Sequence, residues 1–91
     1  MKEITVERIH TMCNDLYKEG CSPETLCVKL AEHIEEALKN GYKYTWDTQV
    51  CILVGVTSWL RSPEGLKAFT NVNATNIIIN MHDWVEKMED K

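Results

Sequence analysis

Gln49-Val50-Cys51-Ile52-Leu53-Val54-Gly55-Val56 is the stretch on which the fold class of this chain turns. Its β-branched residues suit a buried strand, and periodicity alone does not separate a buried strand from a buried helix. Length and neighbours decide. The run lies between Thr45 or Asp47, either of which can cap a helix, and Trp59-Leu60, and no second convincing strand exists to pair with it. A lone strand leaves its backbone groups unpaired, so the segment 46–61 is read as a helix, apolar on nearly every side, around which the others pack. Gly55 costs such a helix ~1 kcal/mol of propensity, a cost that makes sense if a neighbouring backbone comes close there.

Two Ser-Pro-Glu triplets punctuate the chain on either side of this segment. In Ser22-Pro23-Glu24 and Ser62-Pro63-Glu64 the serine can cap a helix, the proline sits where its missing N–H costs nothing, and the glutamate offsets the positive end of the helix dipole. The residues flanking the two triplets do not match, so capping rather than an internal repeat explains the recurrence.

Upstream, Thr5 can cap a first helix with Ile4 and Ile9 as its hydrophobic staple; Val6, Ile9, Cys13 and Leu16 form its stripe and Gly20 ends it. The first triplet opens a second helix with Leu26, Cys27, Leu30, Ala31, Ile34, Ala37 and Leu38 on one face, stopped by Asn40-Gly41. The second opens a short helix with Leu66 and Phe69 expected to face inward. Asn71-Val72-Asn73 is expected to break it, before a last helix with Ile77, Ile78, Met81, Trp84, Val85 and Met88 on one face. The expected fold is therefore all-α: a single domain spanning residues 1–91, with four to five helices around a central apolar helix at about 46–61.

The bulk properties narrow the function classes. The 91 residues, 44% hydrophobic and 26% charged, suit one small globular domain. The net charge is −4, and the ten basic residues are scattered along the chain, whereas a phosphate backbone needs a concentrated basic face; nucleic acid is not expected as a partner. The longest apolar stretch, 50–56, is far short of the ~20 residues a membrane span requires, so no membrane association is expected. The first residues lack the pattern of a secretory signal, so a cytoplasmic location is expected, with Cys13, Cys21, Cys27 and Cys51 expected as reduced thiols, mostly small core fillers.

Chemistry-bearing patterns are sparse. His10, Cys13 and Cys21 are the donor types of a small metal or ligand site, but the spacing matches no established zinc pattern and contains no Cys-x-x-Cys. Cys21 also lies just before a helix N-terminus, where a thiol acidifies, yet no base is placed beside it in sequence, and the position before a capped helix commonly packs on the residue at N4, here Leu26. Glu7-Arg8-Ile9-His10 has the spacing of one half of a di-iron motif and lacks the other half; His82-Asp83 is an isolated pair; Asn73-Ala74-Thr75 is a glycosylation sequon only in a secreted chain. There is no phosphate loop and no Ser-centred elbow. No cofactor and no catalysis are expected.

Two surface features remain. Glu32, Glu35 and Glu36 form an acidic ridge on the second helix. Gly41-Tyr42-Lys43-Tyr44-Thr45-Trp46 links the second and third helices, and period-two alternation would send Tyr42, Tyr44 and Trp46 to one side of an extended linker, either as anchors for a partner or as a lid over the helix ends.

The stretch from Cys13-Asn14-Asp15 through Ser22-Pro23-Glu24-Thr25-Leu26 to Lys29-Leu30-Ala31-Glu32-His33-Ile34-Glu35-Glu36, under a third of the chain, resembles the first two helices of colicin-DNase immunity proteins, which are small acidic helical inhibitors. That family carries a paired-tyrosine, proline-ended motif beyond its second helix. Here Lys43 separates Tyr42 from Tyr44 and no proline follows, so the inhibitory determinant is missing and no residue is carried over from the family. The expectation from the residues is a non-catalytic regulator or inhibitor that binds another protein, with homo-oligomerisation left open. The competing class is a metal- or ligand-binding domain built on His10, Cys13 and Cys21.

Overall fold

The computed structural model describes residues 2–89, and 46–60 are helical. Five helices follow one another: α1 (Val6–Lys18), α2 (Pro23–Lys39), α3 (Trp46–Leu60), α4 (Pro63–Ala68) and α5 (Asn71–Glu89). They start where hydroxyls can cap them. Thr5 Oγ1 accepts the Arg8 N–H at 3.1 Å, and Ser22 and Ser62 accept the N–H groups of Thr25 and Gly65 at 3.3 and 3.4 Å. Gly20 and Gly41, at φ +78° and +99°, turn the chain out of α1 and α2 in the left-handed conformation that glycine adopts without strain.

At α3 the cap is Thr45, and it is reciprocal: Thr48 N–H donates to Thr45 Oγ1 at 3.2 Å while Thr45 N–H donates to Thr48 Oγ1 at 3.0 Å. Thr48 is the only polar residue in the buried set among the described residues, and its hydroxyl also donates to the Lys43 carbonyl at 3.0 Å. The buried hydroxyl is thus satisfied, as a group out of water must be. It fixes the angle at which α3 leaves the preceding linker.

One core is shared by α1, α2, α3 and α5. Ile9, Cys13 and Leu16 face Leu26, Leu30 and Ile34, and the layer is closed by Ile52, Val56 and Trp59 from α3 and by Ile77, Met81 and Val85 from α5. α3 packs against α1, α4 and α5, as expected of the apolar helix, and α1 and α5 both pack against α2. A difference lies in how far α3 is enclosed. Its inner face is buried, but Trp46, Val50 and Val54 point to solvent, so the all-round apolar pattern reflects one core face and one open face.

The Gly55 expectation acquires a geometry. A Cβ built there would stand 2.7 Å from Ile9 Cβ and 2.8 Å from Ile9 Cγ2, and Ile9 is fully buried. α1 and α3 therefore touch through a glycine. Gly55→Leu should destabilise by ~1–3 kcal/mol despite its better helix propensity, read as a lower melting temperature; a variant melting at or above the wild type would mean that the contact is not tight.

Three local expectations are corrected. Asn71-Val72-Asn73 is the first turn of α5 rather than a break, because Thr70 Oγ1 accepts the Asn73 N–H at 3.2 Å and caps the helix; the break falls at Phe69, whose backbone is extended. Leu66 is 64% exposed, since the one-and-a-half turns of α4 lay Gly65, not Leu66, against the end of α3. The linker after α2 does contain a strand: β2 (Tyr42–Lys43) pairs in parallel with β1 (Lys2–Glu3), Lys2 opposite Tyr42 and Glu3 opposite Lys43. That two-residue strap brings Ile4, 2% exposed, into the core.

Candidate functional site

The linker tyrosines are both half-buried. Tyr44 packs against the core, its hydroxyl donates to the Val85 carbonyl at 3.4 Å, and its ring meets Trp84 edge to face at 6.5 Å. Tyr42 packs on the core as well, beneath the Arg8 guanidinium at 4.7 Å. Both rings therefore close the end of the bundle, which is the lid arrangement. The alternation fails at Trp46 because the chain has become helical there; Trp46 is 72% exposed at the first position of α3.

The acidic ridge is split between two grooves. Glu36 joins Arg8, Asp15 and His33 around a mixed-charge concavity of about 330 Å³ between α1 and α2. Glu32 and Glu35 lie on the other side, along a groove of about 480 Å³ between α2 and α5. The acidic edge of this second groove is Glu24, Glu32 and Glu35, all on α2; its floor is Cys27, Ala31, Met81 and Trp84, with Val28, 58% exposed, at the lip. Asn80 stands on the α5 side. A further depression of about 440 Å³, lined by Glu35, Leu38, Lys39 and Met88, adjoins the groove at Glu35. Together the two depressions line α2 for most of its length, roughly 20 Å at the helical rise. Carboxylates over an apolar floor offer both terms of a helix-in-groove interaction, steering and burial.

The donors of a metal or ligand site are not brought together. His10 Nε2 lies 2.5 Å from Ser58 Oγ, a hydrogen bond that ties α1 to α3. Cys13 is buried beside Cys27, and Cys21 packs at the core margin before the cap of α2. Among the described residues, no group of three or more His, Cys, Asp or Glu side chains is placed to hold a metal ion. Burial pushes the Cys13 thiol up to about 12, with the neighbouring Cys27 adding to the shift. Burial raises the Cys27 thiol too; a hydrogen bond with the Asn80 side chain opposes that rise and Glu24 adds to it. Both therefore stay protonated near neutrality and act as small apolar fillers rather than nucleophiles. Of the lesser motifs, Glu7 and the His82-Asp83 pair are exposed on helix surfaces, and the sequon Asn73-Ala74-Thr75 is helical, with Thr75 Oγ1 donating to the Asn71 carbonyl at 2.8 Å.

Comparison with family models, with curated proteins and with solved structures returned no match. The local likeness of α1 and α2 to immunity proteins accordingly stands on those residues alone. Among the described residues, no helix is long and apolar enough to cross a membrane.

The α5 side of the groove and the open face of α3 were missed by sequence reasoning. For the groove a signal exists: Asn80 interrupts the apolar row Ile77-Ile78-Ile79 and Met81, a polar residue on a helix that stays in the core through Met81 and Val85. For α3 the signal was hidden, because apolar residues on both faces give no amphipathic contrast.

Proposed function

We propose that this chain is a non-catalytic protein-binding module, a regulator or inhibitor working in the cytoplasm, and that its partner inserts a basic amphipathic helix into the α2–α5 groove. The observation that carries this reading is the pairing of Glu24, Glu32 and Glu35 with an apolar floor that includes Met81 and Trp84 along one continuous groove. Lys or Arg on the flanks of an incoming helix would meet the carboxylates, and its apolar stripe would cover Val28 and Trp84. The net charge of −4 favours approach of such a partner over an acidic one.

The test starts from the partner captured by the wild-type chain in source lysate and identified by mass spectrometry. With that partner purified, Glu32→Arg combined with Glu35→Arg should weaken binding by ~10-fold or more and flatten its salt dependence, with a melting temperature little changed because Glu32 is exposed and Glu35 only half-buried. Tyr44→Ala should do the reverse, lowering the melting temperature while the folded fraction binds as before. If Tyr44→Ala or Tyr42→Ala lowers affinity without lowering stability, and the charge reversal does nothing, the partner sits on the linker instead.

A further inference from the structure

The open face of α3 runs along Trp46, Val50, Val54 and Arg61, with the half-buried Thr57 and Leu53, which also packs on the core, completing the row opposite the buried Ile52, Val56 and Trp59. Trp46 apart, the most exposed apolar members are Val54 at 49% and Val50 at 36%. No segment among the described residues covers them. The intervals along this row read four, three, one, three, four, the same from either end. A row with that symmetry matches its own reverse. Two copies laid antiparallel about a two-fold axis between Leu53 and Val54 place Leu53 on Val54, Val50 on Thr57 and Trp46 on Arg61 of the second copy.

We propose that the occupant of this face is a second copy of the chain, docked through antiparallel α3 helices. Shape supports the pairing. Leu53, Val54, Thr57 and Arg61 line a shallow depression of about 410 Å³, which is where the exposed Trp46 ring of the second copy arrives. Two such insertions occur per dimer, one at each end, and β-branched Val50, Val54 and Thr57 between them let the helix axes approach to ~8–10 Å. Charge supports it equally. α3 holds a single ionisable side chain with a charge at neutral pH, Asp47 in its first turn, and Arg61 follows at the C-cap. The antiparallel arrangement brings Asp47 of one copy beside Arg61 of the other, and sets the Arg61 guanidinium over the face of the incoming Trp46. A parallel arrangement would oppose Asp47 to Asp47 and Arg61 to Arg61. The acidic groove side of the molecule, which would repel its copy, is left outside the contact and is not needed for it.

One helix face per copy is smaller than a standard interface, so a dissociation constant on the order of tens of micromolar is expected. Sedimentation equilibrium of the full chain in reducing buffer, from roughly 5 μM to 1 mM, should show a monomer–dimer equilibrium. Val50→Glu should leave a monomer throughout, with an unchanged helical spectrum and melting temperature in dilute solution because Val50 faces outward. Asp47→Lys and Arg61→Glu should each weaken dimerisation ~5-fold or more by placing like charges opposite each other. Mixing those two variants should restore a dimer of wild-type strength, since each end then joins opposite charges. The introduced lysine meets the introduced glutamate at one end, and the native Asp47 meets the native Arg61 at the other. A monomer at every concentration, a dimer that survives Val50→Glu, or a mixture no stronger than its components would each overturn the proposal. None of these variants touches α2 or α5, so the result is independent of whether the groove binds a partner.

Discussion

Trp59→Ala is expected to cost ~3–5 kcal/mol, the largest loss of any single truncation in the chain. Trp59 is 1% exposed, packs edge to face on Tyr17 at 6.1 Å and on Phe69 at 6.3 Å, and its indole N–H donates to Asn14 Oδ1 at 2.7 Å. It thus joins α1, α3 and the α4–α5 connection through one side chain. Domains of this size are stable by only ~5–15 kcal/mol, so the variant should lose a large part of that reserve and unfold at a much lower denaturant concentration. Trp59→Phe separates the two contributions. It keeps most of the ring but leaves Asn14 without its donor, and should cost ~1–2 kcal/mol, well short of the alanine value. Equal losses for the two variants would show that the hydrogen bond rather than the ring packing holds these helices together.

Gly65→Ala is expected to destabilise by ~3 kcal/mol or more, with a sign opposite to the rule for helices. Alanine in place of an exposed helical glycine ordinarily gains ~1 kcal/mol. Here the new Cβ would stand 2.6 Å from Leu60 Cα and 2.7 Å from the Leu60 carbonyl oxygen, and it would also crowd the Trp59 carbonyl. These are backbone atoms at the end of a packed helix, so no side-chain rotation relieves the contact, in contrast to Gly55, where the obstacle is the Ile9 side chain. The alternative is that α4 swings away, which would expose Phe69. A melt at or above the wild-type temperature would show that α4 is not docked on α3 through this glycine.

The legible part of the fold was local. Thr5, Ser22, Thr45 and Ser62 are caps because a hydroxyl before a helical run has one nearby use, and Gly20 and Gly41 end helices because few residues tolerate their backbone angles. Thr70 escaped notice behind the two asparagines, which compete for backbone groups in a coil but cost little in the first turn of a capped helix. The linker illustrates the limit more sharply. Alternation sets Tyr42 and Tyr44 apart from the exposed Lys43, but what the two rings pack on depends on Val85 and Trp84, some forty residues later, and on Arg8, far earlier. The acidic ridge was legible as a set of carboxylates on one helix, yet its division into Glu36 on one groove and Glu32 with Glu35 on another required the positions of α1 and α5.

The β1–β2 strap bears on the order in which the chain assembles. Neighbouring helices meet through short connections, and loops of that size close in well under a microsecond, so the contacts of α1 with α2 and of α3 with α4 can form early. Lys2 and Tyr42, by contrast, are separated by both of the first two helices. Closing that loop in an open chain carries an entropic penalty that grows with the logarithm of its length, against the small return of a two-residue ladder. Once α1 and α2 have docked, the ends already lie side by side and the penalty has vanished. The strap is therefore a latch set after the hairpin of helices exists, and it keeps Ile4 in the core once closed.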